Sequence, residues 1–455
     1  MIQFLRAINS QPKKSLFLFL SLFLIVSLSC RKGDYYLADK QVITDNGGGT
    51  GTVTWSSDKT YLLDGFVFVN DGQILTIEAG TVIQGKTGQG SLSSALIVAR
   101  GGKIIAEGSS DRSIVFTVEG DDLEGSVPLE SSGLWGGLII LGNATVNTPS
   151  GESFIEGLPI SEPRGVYGGS FDDDNSGILR FVSIRHGGTN IGEGNEINGL
   201  TLGGVGRKTT IDHIEVVSNA DDGIEFFGGT VNCSNLAAAF CGDDAFDFDE
   251  GYSGKCQFLL GILHTSKGDH LAEHNGAAFP GPAKPFSHPE IYNATYVGRF
   301  PLEGSSIIRF DQNSGGVYKN SIFMNSLEGV GIEYKTSGSS YDMWMNDELQ
   351  LSHNIFYQIA NEKADSVFRL FPYSSPLLDM QQKLSLYFLS GENEFKDPAF
   401  IIQSNSYQLL PPSTVFENMA DYSSSWFEQV GHKGAFGSNN WLDGWSYLWK
   451  ENIIR

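Results

Sequence analysis

The sequence predicts an all-β chain wound as a single-stranded parallel β-helix, with loop insertions at its corners and a cap at its C-terminal end. Three observations carry this. One phrase is written three times, as NADDGIEF (219–226), CGDDAFDF (241–248) and KGDHLAEH (267–274), with 22 residues from Asp221 to Asp243 and 26 from Asp243 to Asp269. That period is too long for a hairpin and suits one coil of a solenoid, whose units bury their apolar faces only by stacking. Strands of three to five residues, such as Val67-Phe68-Val69, Ile74-Leu75-Thr76-Ile77 and Val82-Ile83, are separated by glycine corners with no helical period between them. Finally, 56 glycines and 12% aromatic residues mean tight corners around a packed interior.

Taken in order, the chain opens with a positive region (Arg6, Lys13, Lys14), an apolar run from Leu16 to Leu28, and Ser27-Leu28-Ser29-Cys30. The run is short for a membrane-spanning helix of about 20 residues, and residues 1–29 resemble a bacterial lipoprotein signal peptide, with Cys30 as the lipidated residue. Arg31 follows Cys30, so nothing resembling an inner-membrane retention signal is present. This places the chain at the outer membrane, on either the periplasmic or the cell-surface face. Residues 30–51 are polar and glycine-rich and read as a tether. Coils are expected over 52–373, interrupted by polar insertions at 118–135 and 147–175. Four prolines make 277–289 a loop that leaves the coil beside the third acidic phrase. Residues 374–455 should hold the final coils and a cap, with the aromatic tail 427–448 covering the last coil.

A formal net charge of −23 argues against nucleic acid as a partner. The sharpest feature is local. Stacking the three phrases gives two acidic columns, Asp221/Asp243/Asp269 and Glu225/Asp247/Glu273, in which equivalent residues lie about 4.8 Å apart, as paired strands do. The triplets Ile308-Arg309-Phe310, Ile332-Glu333-Tyr334 and Phe368-Arg369-Leu370 extend the second column to Glu225, Asp247, Glu273, Arg309, Glu333, Arg369. Alternating signs make a self-sufficient ladder, whereas three stacked carboxylates need water, salt or a cation.

Three readings of these columns are open. They form a solvated face whose aspartates bond to their own turns; they hold Ca²⁺, a hard cation that takes several oxygen ligands; or they serve acid/base chemistry. The calcium ligands would be Asp221, Glu225, Asp243, Asp247, Asp269 and Glu273, with the turn Asp172-Asp173-Asp174 as a second site. Cys233 and Cys256 lie about one coil apart, close enough for a disulfide, although an inward column of small thiols with Cys241 is the preferred reading. Asn293, Asn320 and Asn354, each followed three residues later by an aromatic, suggest a ladder of corner asparagines.

The phrases TYLLDGFVFVNDGQILTIEAGTVIQG, GLWGGLIILGNA, NADDGIEFFGGTVN, FCGDDAFDFDEGY and KGAFGSNNWLDGW resemble a family of exported, often lipid-anchored proteins of Gram-negative bacteria. That resemblance implies a right-handed parallel β-helix of the pectin-lyase-like type over nearly everything after Thr52. A looser resemblance to polygalacturonase-like hydrolases implies Asp221, Asp243, Asp244, His270 and Arg309 as catalytic groups of a hydrolase, or of a calcium-assisted lyase with Arg309 as its basic group. The pattern departs from those enzymes, with Gly-Asp-His where Gly-His-Gly is expected and no lysine two places after Arg309. The function expected is non-catalytic binding or adhesion to a polysaccharide or an envelope partner. Polysaccharide degradation and a structural place in an envelope complex are the alternatives.

Overall fold

A computed structural model of the chain describes residues 39–192, 195–277, 284–299, 306–336, 338–372, 377–403, 406–411 and 417–455. The signal segment and Cys30 lie outside the described residues. Each coil lays down three short strands, and successive coils pair in parallel. One face is a ten-stranded sheet running from Phe66–Val69 to Phe368–Phe371. The other two faces join into an eighteen-stranded sheet, because Gly177–Arg185, Thr210–Val217, Cys233–Ala239 and Lys255–Ile262 each cross the corner between them. They do so through a single left-handed residue, Phe181, His213, Asn235 or Phe258, with φ of 50°, 55°, 56° and 61°. One residue of that conformation re-aims a strand without ending its ladder. No described helix is long and apolar enough to cross a membrane.

Alternation sends every second side chain inside. In the ten-stranded sheet Ile224 and Phe226 point into the core while Glu225 points out. Coil stacking then lines up interior rings: Phe226 on Phe248 at 5.0 Å, Phe248 on His274 at 4.8 Å, and His274 on Phe310 at 4.5 Å. His274 is thus a core residue. Burial drops its pKa to about 3, so it stacks as a neutral ring with Nε2 on the Tyr318 hydroxyl at 2.8 Å. Cys233 and Cys256 are register partners, and with Cys241 they are buried free thiols, the inward column preferred above.

Several expectations shift. The first strand, Lys40–Ile43, pairs with Thr60–Leu63, so the solenoid begins inside the stretch read as a tether. At the far end the helix Leu378–Ser390 covers the last full coil: Phe388 stacks on Phe368 at 4.2 Å and Gln381 Oε1 accepts the Leu370 N–H at 2.8 Å. The aromatic tail does something else. It runs back along the flank, where Phe436, Trp445 and Leu448 cover Val217, Ala239, Ile262, Val297 and Met324. Buried Glu215 accepts the Leu448 N–H at 3.3 Å and also binds that of Tyr447.

The asparagine column forms only in part. Thr295, Ile322 and Ile355 are register partners, which aligns Asn293 and Asn320 with His353 and leaves Asn354 one residue on. The two aligned asparagines, both at positive φ, bind the returning tail: Asn293 Nδ2 donates to His432 O at 2.7 Å and Asn320 Nδ2 to Ala420 O at 3.0 Å. The corner ladder is therefore a rail for the C-terminal segment.

Candidate functional site: an acidic recess on the ten-stranded sheet

The outward column of the ten-stranded sheet changes character along the solenoid. It begins apolar with Phe68, Ile97 and Ile139, passes through Thr201, and becomes Glu225, Asp247, Glu273 and then Arg309, each the register partner of the one before. The insertion at 147–175 covers the apolar half, with Ile155, Leu158 and Tyr167 packed on Phe68, Ile97 and Ile139. Its hairpin is pinned by the Tyr167 hydroxyl, which donates to Glu250 Oε2 at 2.6 Å. Where the cover ends, a recess of about 360 Å³ opens, lined by nine carboxyl groups and one amide, with no basic side chain.

The turn that feeds these strands stacks as expected. Asp243 N–H donates to Asp221 O at 3.5 Å, and Asp269 N–H donates to Asp243 O at 3.1 Å. One residue on, Asp222 Oδ1 accepts the Asp244 N–H at 2.8 Å, and Asp244 in turn accepts the His270 N–H. Gly242 makes the close stacking possible, because a Cβ there would collide with the Ala220 carbonyl oxygen. Asp221, Asp243, Asp244, Glu225, Asp247 and Glu273 all face the recess, while Asp269 is not among its lining residues.

Burial raises the pKa of Glu156, Asp221, Asp222, Glu225, Asp243, Asp244, Asp247 and Glu273, and neighbouring charges add to it. Asp221 rises to about 7 through burial and the charges of Glu156, Glu196 and Asp243. Glu273 reaches about 7 through burial and Asp311, and Asp249 about 7 through burial chiefly. Asp222, Glu225, Asp244 and Asp247 are pushed well above the ordinary range, by burial first. Two acceptors lining the recess have no donor among the described residues: Oδ1 of Asp247, which is 7% exposed, and Oδ1 of Asn198, which is 1% exposed. Buried acceptors without partners are rare, and these two join the carboxylates in an all-oxygen donor set of the kind that hard cations take.

Of the residues that the enzyme resemblance implies, Asp221, Asp243 and Asp244 share the recess, whereas His270 and Arg309 are not among its lining residues. Asp244 accepts the His270 N–H of the next coil. His270 Nδ1 accepts from the Ser306 N–H at 3.2 Å, so Nε2 carries the proton, and burial drops the ring's pKa to about 3. The Nδ1 lone pair, the basic position of this neutral ring, is thus taken up by Ser306. Arg309 lies flat over Phe371, its guanidinium carbon 3.3 Å from the ring centroid, and its Nε donates to Asp311 Oδ2 at 3.3 Å. With Arg369 it lines a separate hollow of about 200 Å³ beyond the acidic recess.

Three details depart from the reading of the sequence. Arg309 pairs with Gly331, not Glu333, and Gly331 with Arg369. The triplet Ile332-Glu333-Tyr334 mimics its predecessor two residues out of step, and a slip of two keeps each side chain on its own face. The turn Asp172-Asp173-Asp174 is partly paired within the chain: Lys208 lies 3.2 Å from Asp173, Arg207 within 3.6 Å of both Asp172 and Asp173, and Asp174 Oδ1 accepts from Asn143. Of the loop 277–289, residues 278–283 lie outside the described residues; Pro285 and Ser287 sit against Gly251, at the opposite ends of these strands from the acidic turn.

Sequence reasoning missed Asp222, Asn198, Glu156 and Glu196 as lining residues of the recess. Asn198 stands two places before Leu200, the register partner of Ile224, and so shares a column with Asp222. Its Nδ2 donates to Glu156 Oε1 at 2.9 Å and also binds Glu225. Carrying the repeat one coil upstream, to Asn198-Gly199-Leu200, would have found it.

Comparison with known families gives one match, to a pectate-lyase like beta helix domain over residues 47–381. No curated protein and no solved structure matches the chain.

Proposed function

Since the chain belongs to the pectate-lyase-like β-helix family, we propose that it is a non-catalytic binding protein of the cell envelope, held at the outer membrane by lipids on Cys30. Its acidic recess holds calcium and, through the metal, an acidic polysaccharide. The observation that carries this is the pair of buried, donorless oxygens on Asp247 and Asn198 within a lining that has no basic side chain. Oxygen-only donors of this kind suit a hard cation with a high coordination number. Further support comes from the order along the column. One coil past Glu273 the surface turns basic at Arg309, so a chain of negatively charged sugars lying along the solenoid would meet metal first and guanidinium next. Support for binding without turnover comes from His270, whose Nδ1 is taken up by Ser306, and from Arg309, which is seated over Phe371.

The test is binding of the purified protein to immobilised polygalacturonate and alginate, in calcium and in EDTA, with reducing ends and unsaturated products followed in the same samples. Retention in calcium that is lost in EDTA and in Asp247→Asn, with no new products, is expected. Product formation would replace this reading with the polysaccharide-degrading one. Absence of retention across both polymers would remove the acidic polysaccharide as ligand.

A further inference from the structure

We propose that the recess holds two divalent cations sharing Asp222, an inner ion enclosed by protein and an outer ion open to ligands. The inference rests on the calcium reading above and adds the number of ions and their separate roles. Carboxylate oxygens of Asp222, Glu225 and Asp247 lie within 4.8 Å of one another, and so do those of Asp221, Asp222 and Asp243. The first set is buried throughout, whereas the second runs outward from buried Asp222 through half-buried Asp221 to exposed Asp243.

Charge decides between one ion and two. The two sets contain five different carboxylates, and once metal binding has displaced their protons a single divalent ion leaves a net charge of three negatives among them. A second ion reduces the excess to one. The donorless oxygens also divide suitably. Asp247 Oδ1 belongs to the inner set, and Asn198, bonded through Nδ2 to Glu225, presents its free Oδ1 to the same recess. Asp222 is suited to sharing, because an ionised carboxylate has about four lone-pair positions and its one backbone bond, from the Asp244 N–H at 2.8 Å, occupies one of them.

The consequence is a division of labour. With three carboxylates and an amide oxygen around it, the inner ion has most of its six to eight oxygen ligands from the protein and ties two coils together, because Asp222 and Glu225 come from one coil and Asp247 from the next. The outer ion keeps positions that Asp221 and Asp243 do not fill, and there hydroxyl or carboxylate oxygens of a sugar would bind.

Isothermal titration of chelator-treated protein with calcium chloride reads the number directly. Two ions per chain in two affinity classes are expected. Asp243→Asn should leave only the tighter ion, and Asp222→Asn should weaken both by roughly ten-fold or more, as loss of a metal-holding group does. Asparagine at 222 still accepts the Asp244 N–H, and the wild-type stoichiometry depends on no variant. One ion in the wild type, or an Asp222→Asn protein that loses only one class, would overturn the shared pair and leave the calcium reading standing. No heat at all would remove both.

Discussion

Calcium-free protein should melt at progressively lower temperature as the pH rises from about 5 to about 8, and calcium should reverse the loss. Asp221, Asp249 and Glu273 titrate at about 7 in the fold, against about 4 in an unfolded chain. A carboxyl with a raised folded pKa binds its proton more tightly folded than unfolded. Its stabilising contribution is therefore complete below about pH 4 and is lost as the pH climbs through about 7. A loss of about 4 kcal/mol in a chain of this length lowers the melting temperature by roughly 5 °C.

A divalent ion replaces the missing protons, so its effect must be larger at pH 8 than at pH 5. Calcium at about 100 times its Kd contributes about 2.7 kcal/mol. Asp247→Asn separates this from any general loss of stability, because its two effects have opposite signs. Replacing a buried carboxyl whose ionisation burial opposes with a neutral amide raises the melting temperature in EDTA at pH 8, and the calcium increment disappears. Melting curves in EDTA and in calcium at pH 5, 6.5 and 8 provide the check. A melting temperature indifferent to pH, or an Asp247→Asn protein that keeps the calcium increment, would count against a cation at this site.

The second large effect belongs to the interior stack. Phe248 is fully buried between Phe226 and His274, with Tyr252 at 5.7 Å. Phe248→Ala should cost about 3–5 kcal/mol, through lost burial and the cavity left behind. In a solenoid each coil is held by its neighbours, so the damage falls on the contact between the coils that carry Glu225, Asp247 and Glu273. The variant should therefore weaken calcium binding without touching a ligand. Glu107→Gln, at an exposed ion pair with Arg180 outside the recess, is the comparison and should change stability by less than about 1 kcal/mol. A Phe248→Ala protein that melts within a degree of the wild type would show that the stack does not bear the coil contacts.

Much of this was legible in the sequence, for a physical reason. A solenoid repeats its own local environment, so Asp221, Asp243 and Asp269 announce their stacking by recurring at coil-length intervals. The same logic failed where two registers look alike. Ile332-Glu333-Tyr334 has the charged centre of the pattern, whereas the true partner Val330-Gly331-Ile332 has glycine there, and only the hydrogen-bonded register identifies it. Glu156 and Glu196 were invisible because they come from segments outside the repeat, and such segments carry no period to extrapolate. The tail was misplaced because its tryptophans and tyrosine signal burial without saying where. What directs it to the flank is a set of polar partners, Asn293, Asn320 and Glu215, spread over 105 residues of chain from 215 to 320.

The most direct measurement is a lanthanide or calcium soak of crystals with anomalous diffraction at the metal edge. A peak enclosed by Asp222, Glu225, Asp247 and Asn198 is expected, with these carboxylates turned toward it at about 2.3–2.6 Å. A recess without a peak at saturating metal, or metal found only on exposed aspartates elsewhere, would contradict it and return the acidic column to a protonated, cation-free face.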